Sequence, residues 1–256
     1  MSDTVKSTKK VSETGHVPNL ENFGKEIIAV TEYADLYNPS NDLLKILHLQ
    51  TVQTNAANAL QQIIQLETPR SNVLKARMLL FHEMMLYTTR IFCALQASKD
   101  VNKVIIQGAQ YFVRKIRGER KSAKILNPSP EDAKQISASQ HCYFNQAQFF
   151  SRFINFVLSQ PGYTPNETEL LAPAMHDFEA SLNQINVDAA EANAPWLLAL
   201  SDRNEIFYAP TTGLVDIAYA VKKYVRSVKA ITPVQYSLIS GLRYRRPKKS
   251  KKKQLH

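Results

Sequence analysis

Residues 73–95 read VLKARMLLFHEMMLYTTRIFCAL and place apolar residues at helical spacing on two sides of one predicted helix. One stripe comprises Leu74, Met78, Phe81, Met85, Phe92 and Leu95, and the other comprises Val73, Leu80, Met84, Tyr87 and Ile91. A helix that is apolar on two sides must be covered on two sides. We therefore predict an all-α chain built from antiparallel helical bundles, with this helix central in its bundle or at an interface.

The flanking sequence has the same helical periodicity. Before this segment we predict helices at 22–34 and 41–67, with Thr68-Pro69 ending the second one because proline disrupts a helix interior. After it we predict helices at about 101–124, 138–159, 167–190, 194–208 and 214–229. Only 7 of the 256 residues are glycine, which argues against sandwiches, barrels, Rossmann folds and P-loop folds, since these need glycine-rich turns.

Several landmarks recur and predict an internal duplication of a four-helix unit. The pairs are Tyr37-Asn38-Pro39-Ser40 with Tyr163-Thr164-Pro165-Asn166, Phe23 and Ile28 with Phe149 and Ile154, Leu43-Leu44 with Leu170-Leu171 after one extra residue, and Tyr111, Val113, Arg114, Lys115 and Lys121 with Tyr219, Val221, Lys222, Lys223 and Lys229. The predicted division is a flexible arm at 1–18, copy one at 19–127, copy two at 128–243 and a flexible basic tail at 244–256. The alternative is that any two amphipathic helical segments can be aligned by choosing offsets.

Positive charge is concentrated in two places. The net charge is +10, and the 8 basic residues between Arg243 and His256 account for most of it. A second excess, +6, lies in residues 99–124, and the remainder of the chain is slightly acidic. Local clusters of this kind are typical of proteins that bind nucleic acid, anionic membranes or acidic proteins.

We predict that these clusters bind nucleic acid or another polyanion. The predicted contact residues are Arg114, Arg117, Lys121, Lys124, Lys222, Arg226, Arg243, Tyr244, Arg245, Arg246, Lys248, Lys249, Lys251, Lys252 and Lys253. The basic side chains would contact phosphates in a salt-sensitive manner, and Tyr244 would stack on an unpaired base. The alternatives are a solubilising tail, a nuclear localisation signal, and helix cations placed by the macrodipole.

The sequence contains no pattern typical of an enzyme, so we predict no catalytic residues, no cofactor and no metal site. GxGxxG, GxxxxGK[ST], HExxH, GxSxG and CxxC are absent. A di-iron bundle needs two Glu-x-x-His pairs, whereas His176-x-x-Glu179 has the reverse order. Two cysteines predict no disulfide framework, and neither a signal peptide nor a transmembrane segment is recognisable. The expected location is cytoplasmic, or nuclear in a eukaryotic cell.

The leading hypothesis is a non-enzymatic, nucleic-acid-associated helical protein that binds through its tail and a basic helix face. The alternative is a structural or assembly protein that forms a homo-oligomer, or docks an acidic partner protein, through apolar helix faces. The two-striped helix and the phenylalanine-rich helix at 138–159 would then form the interface.

Overall fold

The computed structural model describes residues 15–118 and 142–247, and all regular structure within them is helical. The helices are α1 (His16–Glu32), α2 (Ile46–Ala97), α3 (Lys103–Arg117), α4 (Tyr143–Leu158), α5 (Ala172–Tyr208), α6 (Leu214–Ser227) and α7 (Pro233–Ser240). Short 3-10 turns occur at Ala34–Leu36, Asp42–Leu44 and Thr168–Leu170. The all-α prediction is therefore confirmed for the described residues.

Two helices are longer than predicted because they continue through a proline. α2 has 52 residues and contains Pro69, where we predicted its end, and α5 has 37 residues and contains Pro195. An internal proline removes one backbone hydrogen bond and costs about 3 kcal/mol. Buried side chains on both sides of each proline, such as Val52 and Met84 in α2, stabilise the helix by packing.

The chain divides into two compact units, which differ from the predicted copies 19–127 and 128–243. Unit 1 comprises Met1–Glu67 and Pro195–His256, and unit 2 comprises Thr68–Ala194. Both divisions fall within a long helix, directly beside Pro69 in α2 and at Pro195 in α5. Each unit therefore combines helices from the N-terminal and C-terminal halves of the sequence.

The core of unit 1 is formed by α1, the first part of α2, the last part of α5, α6 and α7. Fully buried members include Phe23, Leu49, Phe207, Leu214 and Val221. Aliphatic and aromatic residues recur at intervals of three and four along α1 and α6, so each helix turns one apolar face to this core.

Unit 2 has a separate core formed by the second part of α2, α3, α4 and the first part of α5. Its buried members include Met84, Ile91, Phe150, Phe153 and Met175. The two-striped segment of α2 is only partly covered. Phe81, Met84, Tyr87, Ile91 and Leu95 are buried, whereas Met85 and Phe92 are half-buried and Met78 is exposed.

The residues that were paired between α1 and α4 in the sequence are not buried to the same extent. Ile28 is 65% exposed while Ile154 is fully buried, so Phe23, Ile27 and Val30 of α1 have the burial of Phe150, Ile154 and Val157 of α4. This match in burial lies one residue away from the predicted pairs Phe23–Phe149 and Ile28–Ile154, because burial depends on the helix face turned to the core.

The two Tyr-x-Pro segments form the same local hydrogen bond. The Tyr37 hydroxyl donates to the Leu44 carbonyl at 2.7 Å, and the Tyr163 hydroxyl donates to the Leu170 carbonyl at 3.1 Å. Each bond joins residues seven positions apart, so the acceptors are Leu44 and Leu170, with no extra residue in the second segment, whereas we predicted one.

Candidate nucleic-acid interface and its buried anchor

Residues 242–246, called the strap below, leave α7 along a non-helical path in unit 1. Burial alternates along the strap. Leu242 and Tyr244 are turned inward, and Arg243 and Arg245 are exposed. An extended chain points successive side chains to opposite sides, which explains this alternation. The predicted flexible tail at 244–256 therefore begins with residues that are packed against the protein.

Four successive carbonyl groups of the strap accept hydrogen bonds from side chains of α1 and α6 in alternation. The pairs are Lys222 Nζ to Leu242 O, Asn22 Nδ2 to Arg243 O (2.9 Å), Tyr219 Oη to Tyr244 O (2.8 Å) and Asn19 Nδ2 to Arg245 O (2.8 Å). On each helix the two donors are three residues apart, a spacing that places both on one face.

The alternating bonds fix the strap between the two helices. Asn19 binds both polar groups of one residue, because its Oδ1 atom also accepts the Arg245 amide N–H at 3.0 Å. The carbonyls of residues 242–245 are thus satisfied although they lie outside regular structure, as a packed backbone requires. The strap ends at the surface, where Arg246 and Pro247 are exposed.

Tyr244 anchors the strap in the interior of unit 1. Its side chain is only 5% exposed, and its hydroxyl donates a hydrogen bond to Glu26 Oε2 on α1. Its ring packs edge-on against Tyr219 at a centroid distance of 5.9 Å. The prediction that Tyr244 stacks on an unpaired base is therefore wrong for the docked strap, because the ring face is covered by the protein.

Lys222 is likewise buried, not available on the surface as predicted. It is 9% exposed, and its ammonium group lies 5.0 Å from the centroid of the Tyr244 ring. Its ammonium group donates a hydrogen bond to the Leu242 carbonyl and interacts with the charge of the neighbouring Glu26. Lys222 therefore stabilises the strap and does not contact an external phosphate in this conformation.

Glu26 is the central ionisable group of this anchor. The carboxyl group is fully buried, and burial raises its pKa to about 8, against the opposing effects of the Tyr244 hydrogen bond and the Lys222 charge. Its second oxygen, Oε1, has no hydrogen-bond partner among the described residues. Burial also lowers the pKa of Lys222, while burial and the nearby Glu26 raise the pKa of Tyr244.

Arg246 has an acidic partner on α6. Its guanidinium group lies 2.5 Å from Asp216 of α6 and also donates to the Tyr208 carbonyl at 3.2 Å. The hydrogen bond from Arg246 holds the pKa of the Asp216 carboxyl below its usual value. Asp216 thereby reduces the positive potential that Arg246 presents to a ligand.

The two predicted basic helix faces belong to different units, that of α3 to unit 2 and that of α6 to unit 1. Arg114 is half-buried and Arg117 exposed in the last turn of α3 in unit 2, and Arg226 is exposed in the last turn of α6 in unit 1. Arg117 donates to the Thr89 hydroxyl at 3.0 Å. The remaining predicted residues lie outside the described part of the chain: Lys121, Lys124, Lys248, Lys249, Lys251, Lys252 and Lys253.

Sequence reasoning missed the residues that hold the strap: Asn19, Asn22, Glu26 and Tyr219. Glu26 did carry a recognisable signal, because it stands three residues after Phe23 and four before Val30 on the apolar face of α1. A carboxyl group on such a face predicts a buried partner. The asparagines gave no comparable signal, since asparagine is common on exposed helix surfaces and near helix ends.

Within residues 15–118 and 142–247, no three His, Cys, Asp or Glu side chains gather where they could hold a metal ion. His176 lies 3.3 Å from Glu179 and forms an isolated pair on the surface of α5. Over the same residues no helix combines the length and the hydrophobicity needed to cross a membrane. Comparison of the chain with protein-family models, curated proteins and solved structures finds no match.

Proposed function

We propose that this chain is a non-enzymatic, nucleic-acid-associated protein that binds a polyanion through the strap and the basic tail that follows it. The observation that carries the proposal is the set of four hydrogen-bonded carbonyls, which holds the start of the tail on a fixed path. Arg243 and Arg245 are exposed on that path. A solubilising tail needs no such attachment.

The fixed path favours binding for an entropic reason. Ordering a flexible arginine-bearing segment on a ligand costs about 0.5–1.5 kcal/mol for each immobilised side chain, in addition to the cost of fixing the backbone. In the strap the backbone is already fixed, so that part of the cost falls on folding and not on binding. The lysines from Lys248 to Lys253 add charge without sequence preference.

Arg243 and Arg246 of the strap also differ in their ionic partners. Arg246 is paired with Asp216, and we expect it to contribute less to phosphate binding than Arg243. Arg114 and Arg117 at the end of α3 form a second basic group, in unit 2. We propose that this group adds weaker, non-specific contacts, because the macrodipole alone accounts for cations at a helix C-terminus.

We also propose that the sequence arose by internal duplication. The matching hydrogen bonds of Tyr37 and Tyr163 support this, as does the burial of Asn19 and Gln146, which occupy the same position relative to the buried phenylalanines of α1 and α4. Glu26 then corresponds to Phe153. The ionisable anchor is therefore a feature of unit 1, where the strap docks.

Assembly through an apolar face is a second candidate. α2 exposes Leu79 and Leu86, at 64% and 58%, seven residues apart and hence on one side of the helix. Exposed leucines at this spacing are typical of helix–helix interfaces. An oligomer of this kind would survive high salt, because apolar contacts do not depend on ionic screening, and sedimentation at high salt detects it.

The test of the leading proposal is binding of fluorescent single- and double-stranded DNA and RNA across a salt series. Neutralised phosphate contacts give a slope of log affinity against log salt of about −0.9 each on duplex DNA and about −0.7 on single strands. The variant Arg243→Gln/Arg245→Gln should reduce the slope by about one to two units, and deletion of residues 248–256 should reduce it further.

The matched control is Lys45→Gln/Lys75→Gln, which removes the same charge from exposed positions outside the strap. Its slope should remain near that of the unmodified protein. Equal slopes for the strap variant and the control would contradict the proposed interface, and weak binding of every oligonucleotide would contradict the proposed function.

A further inference from the structure

Glu26 stands out among the charged groups of unit 1 because it is fully buried and lies directly beneath the strap. Tyr244 donates to one of its oxygens, while the other oxygen has no hydrogen-bond partner among the described residues. A buried carboxylate that lacks full hydrogen bonding is costly, so the environment favours the neutral acid. This cost depends on whether the strap is in place.

We propose that Glu26 is a proton-dependent latch: the strap stays docked while this carboxyl group keeps its proton and is released when the proton is lost in mildly alkaline solution. The inference concerns docking of the strap and does not rest on nucleic-acid binding. If both hold, alkaline pH changes the conformation of the segment that presents Arg243 and Arg245.

The direction follows from proton linkage. In the docked state the Glu26 carboxyl group keeps its proton up to about pH 8, whereas a solvated glutamate loses it near pH 4.5. Between these values the docked state binds one proton more than the released state. Docking is therefore most favourable below the lower value and weakens by up to roughly tenfold per pH unit as the pH rises towards 8.

The other ionisable groups that face Glu26 have only a weak effect on the pH range in which docking weakens. They are Tyr244 on the strap, Lys222 on α6, Tyr33 at the end of α1 and Tyr37 in the following loop. Burial raises the pKa of each of these tyrosines above its usual value, so they stay neutral below pH 9. Lys222 favours the Glu26 carboxylate, but burial lowers the pKa of its own ammonium group.

The experiment uses the full chain and follows hydrogen exchange of the Arg245 amide, which donates to Asn19 only when the strap is docked. Exchange is measured from pH 6 to 9 and divided by the intrinsic rate at each pH. The unmodified protein should lose about tenfold of its protection per pH unit up to about pH 8. Glu26→Gln should give a constant value, and the matched control Glu32→Gln, at an exposed position on the same helix, should follow the unmodified protein.

A pH-independent protection factor in the unmodified protein would overturn the latch, and so would a pH-dependent one in Glu26→Gln. Since that variant could fail to fold, carbon-13 NMR titration of the Glu26 carboxyl group in the unmodified protein is the second measurement. Its midpoint must coincide with the pH near 8 at which the loss of protection levels off, and a midpoint near the usual glutamate value rejects the proposal. Neither readout involves nucleic acid, so failure of the latch can be distinguished from failure of the proposed function.

Discussion

Substitution of Tyr244 by phenylalanine tests the anchor by removing one oxygen atom. The ring stays in place with its contacts to Tyr219 and Lys222, while Glu26 loses the hydroxyl donor. A hydrogen bond between neutral groups contributes about 0.5–1.5 kcal/mol. Because the proposed latch keeps the strap docked at pH 6 and releases it once Glu26 is ionised, near pH 8, the same variant has two different costs.

We expect Tyr244→Phe to reduce the free energy of unfolding by about 1 kcal/mol at pH 6, where Glu26 is neutral and the strap is docked, and by less than about 0.5 kcal/mol at pH 9, where the strap is released and the hydrogen bond is already broken. Loss of the donor also raises the pKa of Glu26 further, since the hydrogen bond stabilises the carboxylate. Urea denaturation of the variant and the unmodified protein at both pH values gives the two differences directly.

Tyr33→Phe is the matched control because the Tyr33 hydroxyl donates to a neutral acceptor, the Gln235 carbonyl, at 2.7 Å. Its cost should be about 1 kcal/mol at both pH values. The reasoning is refuted if Tyr244→Phe costs the same at pH 6 and pH 9, or if the control shows an equally large difference between them.

Two further predictions concern packing. Phe153→Ala removes a fully buried ring from the core of unit 2 and should reduce the free energy of unfolding by about 3–5 kcal/mol, whereas Phe144→Ala, at an exposed position of the same helix, should change it by less than about 0.5 kcal/mol. Gly162→Ala places a Cβ atom 2.2 Å from the Lys99 carbonyl oxygen and should cost about 1–3 kcal/mol, while Gly241→Ala, whose Cβ would lie 4.0 Å from its nearest neighbour, should be neutral or slightly stabilising. Urea denaturation measures all four variants, and equal stability within either pair would contradict the packing at Phe153 or at Gly162.

The strap relates the two proposals for unit 1. Arg243 and Arg245 are exposed on a fixed path because side chains of α1 and α6 bind the strap carbonyls. The same strap is anchored by the hydrogen bond from Tyr244 to Glu26, which is an ionisable group. Loss of docking would leave the positive charge of the tail unchanged and alter only its arrangement. We therefore expect pH to act on the affinity for structured ligands more than on the salt dependence of binding.

The candidate site was only partly predictable. The location of the positive charge followed from counting residues, and Arg243 and Arg245 are exposed as a contact with phosphate requires. Tyr244 and Lys222 were predicted to be exposed but are buried. A basic and aromatic segment gives the same local sequence pattern whether it is free or docked. The partner of Tyr244 is 218 positions away in the sequence, beyond the reach of any local rule.

The sequence by itself determined the helical character of the chain and about half of the helix ends, although it did not predict α7. Periodicity of three and four and a low glycine content are local properties, and the break at 209–213 coincides with the gap between α5 and α6. Only the tertiary structure decided that α2 and α5 continue through Pro69 and Pro195, how the chain divides, and that Glu26 lies beneath Tyr244. These features depend on the free energy of packing between distant segments, which outweighs the local cost of a proline or of a buried carboxyl group.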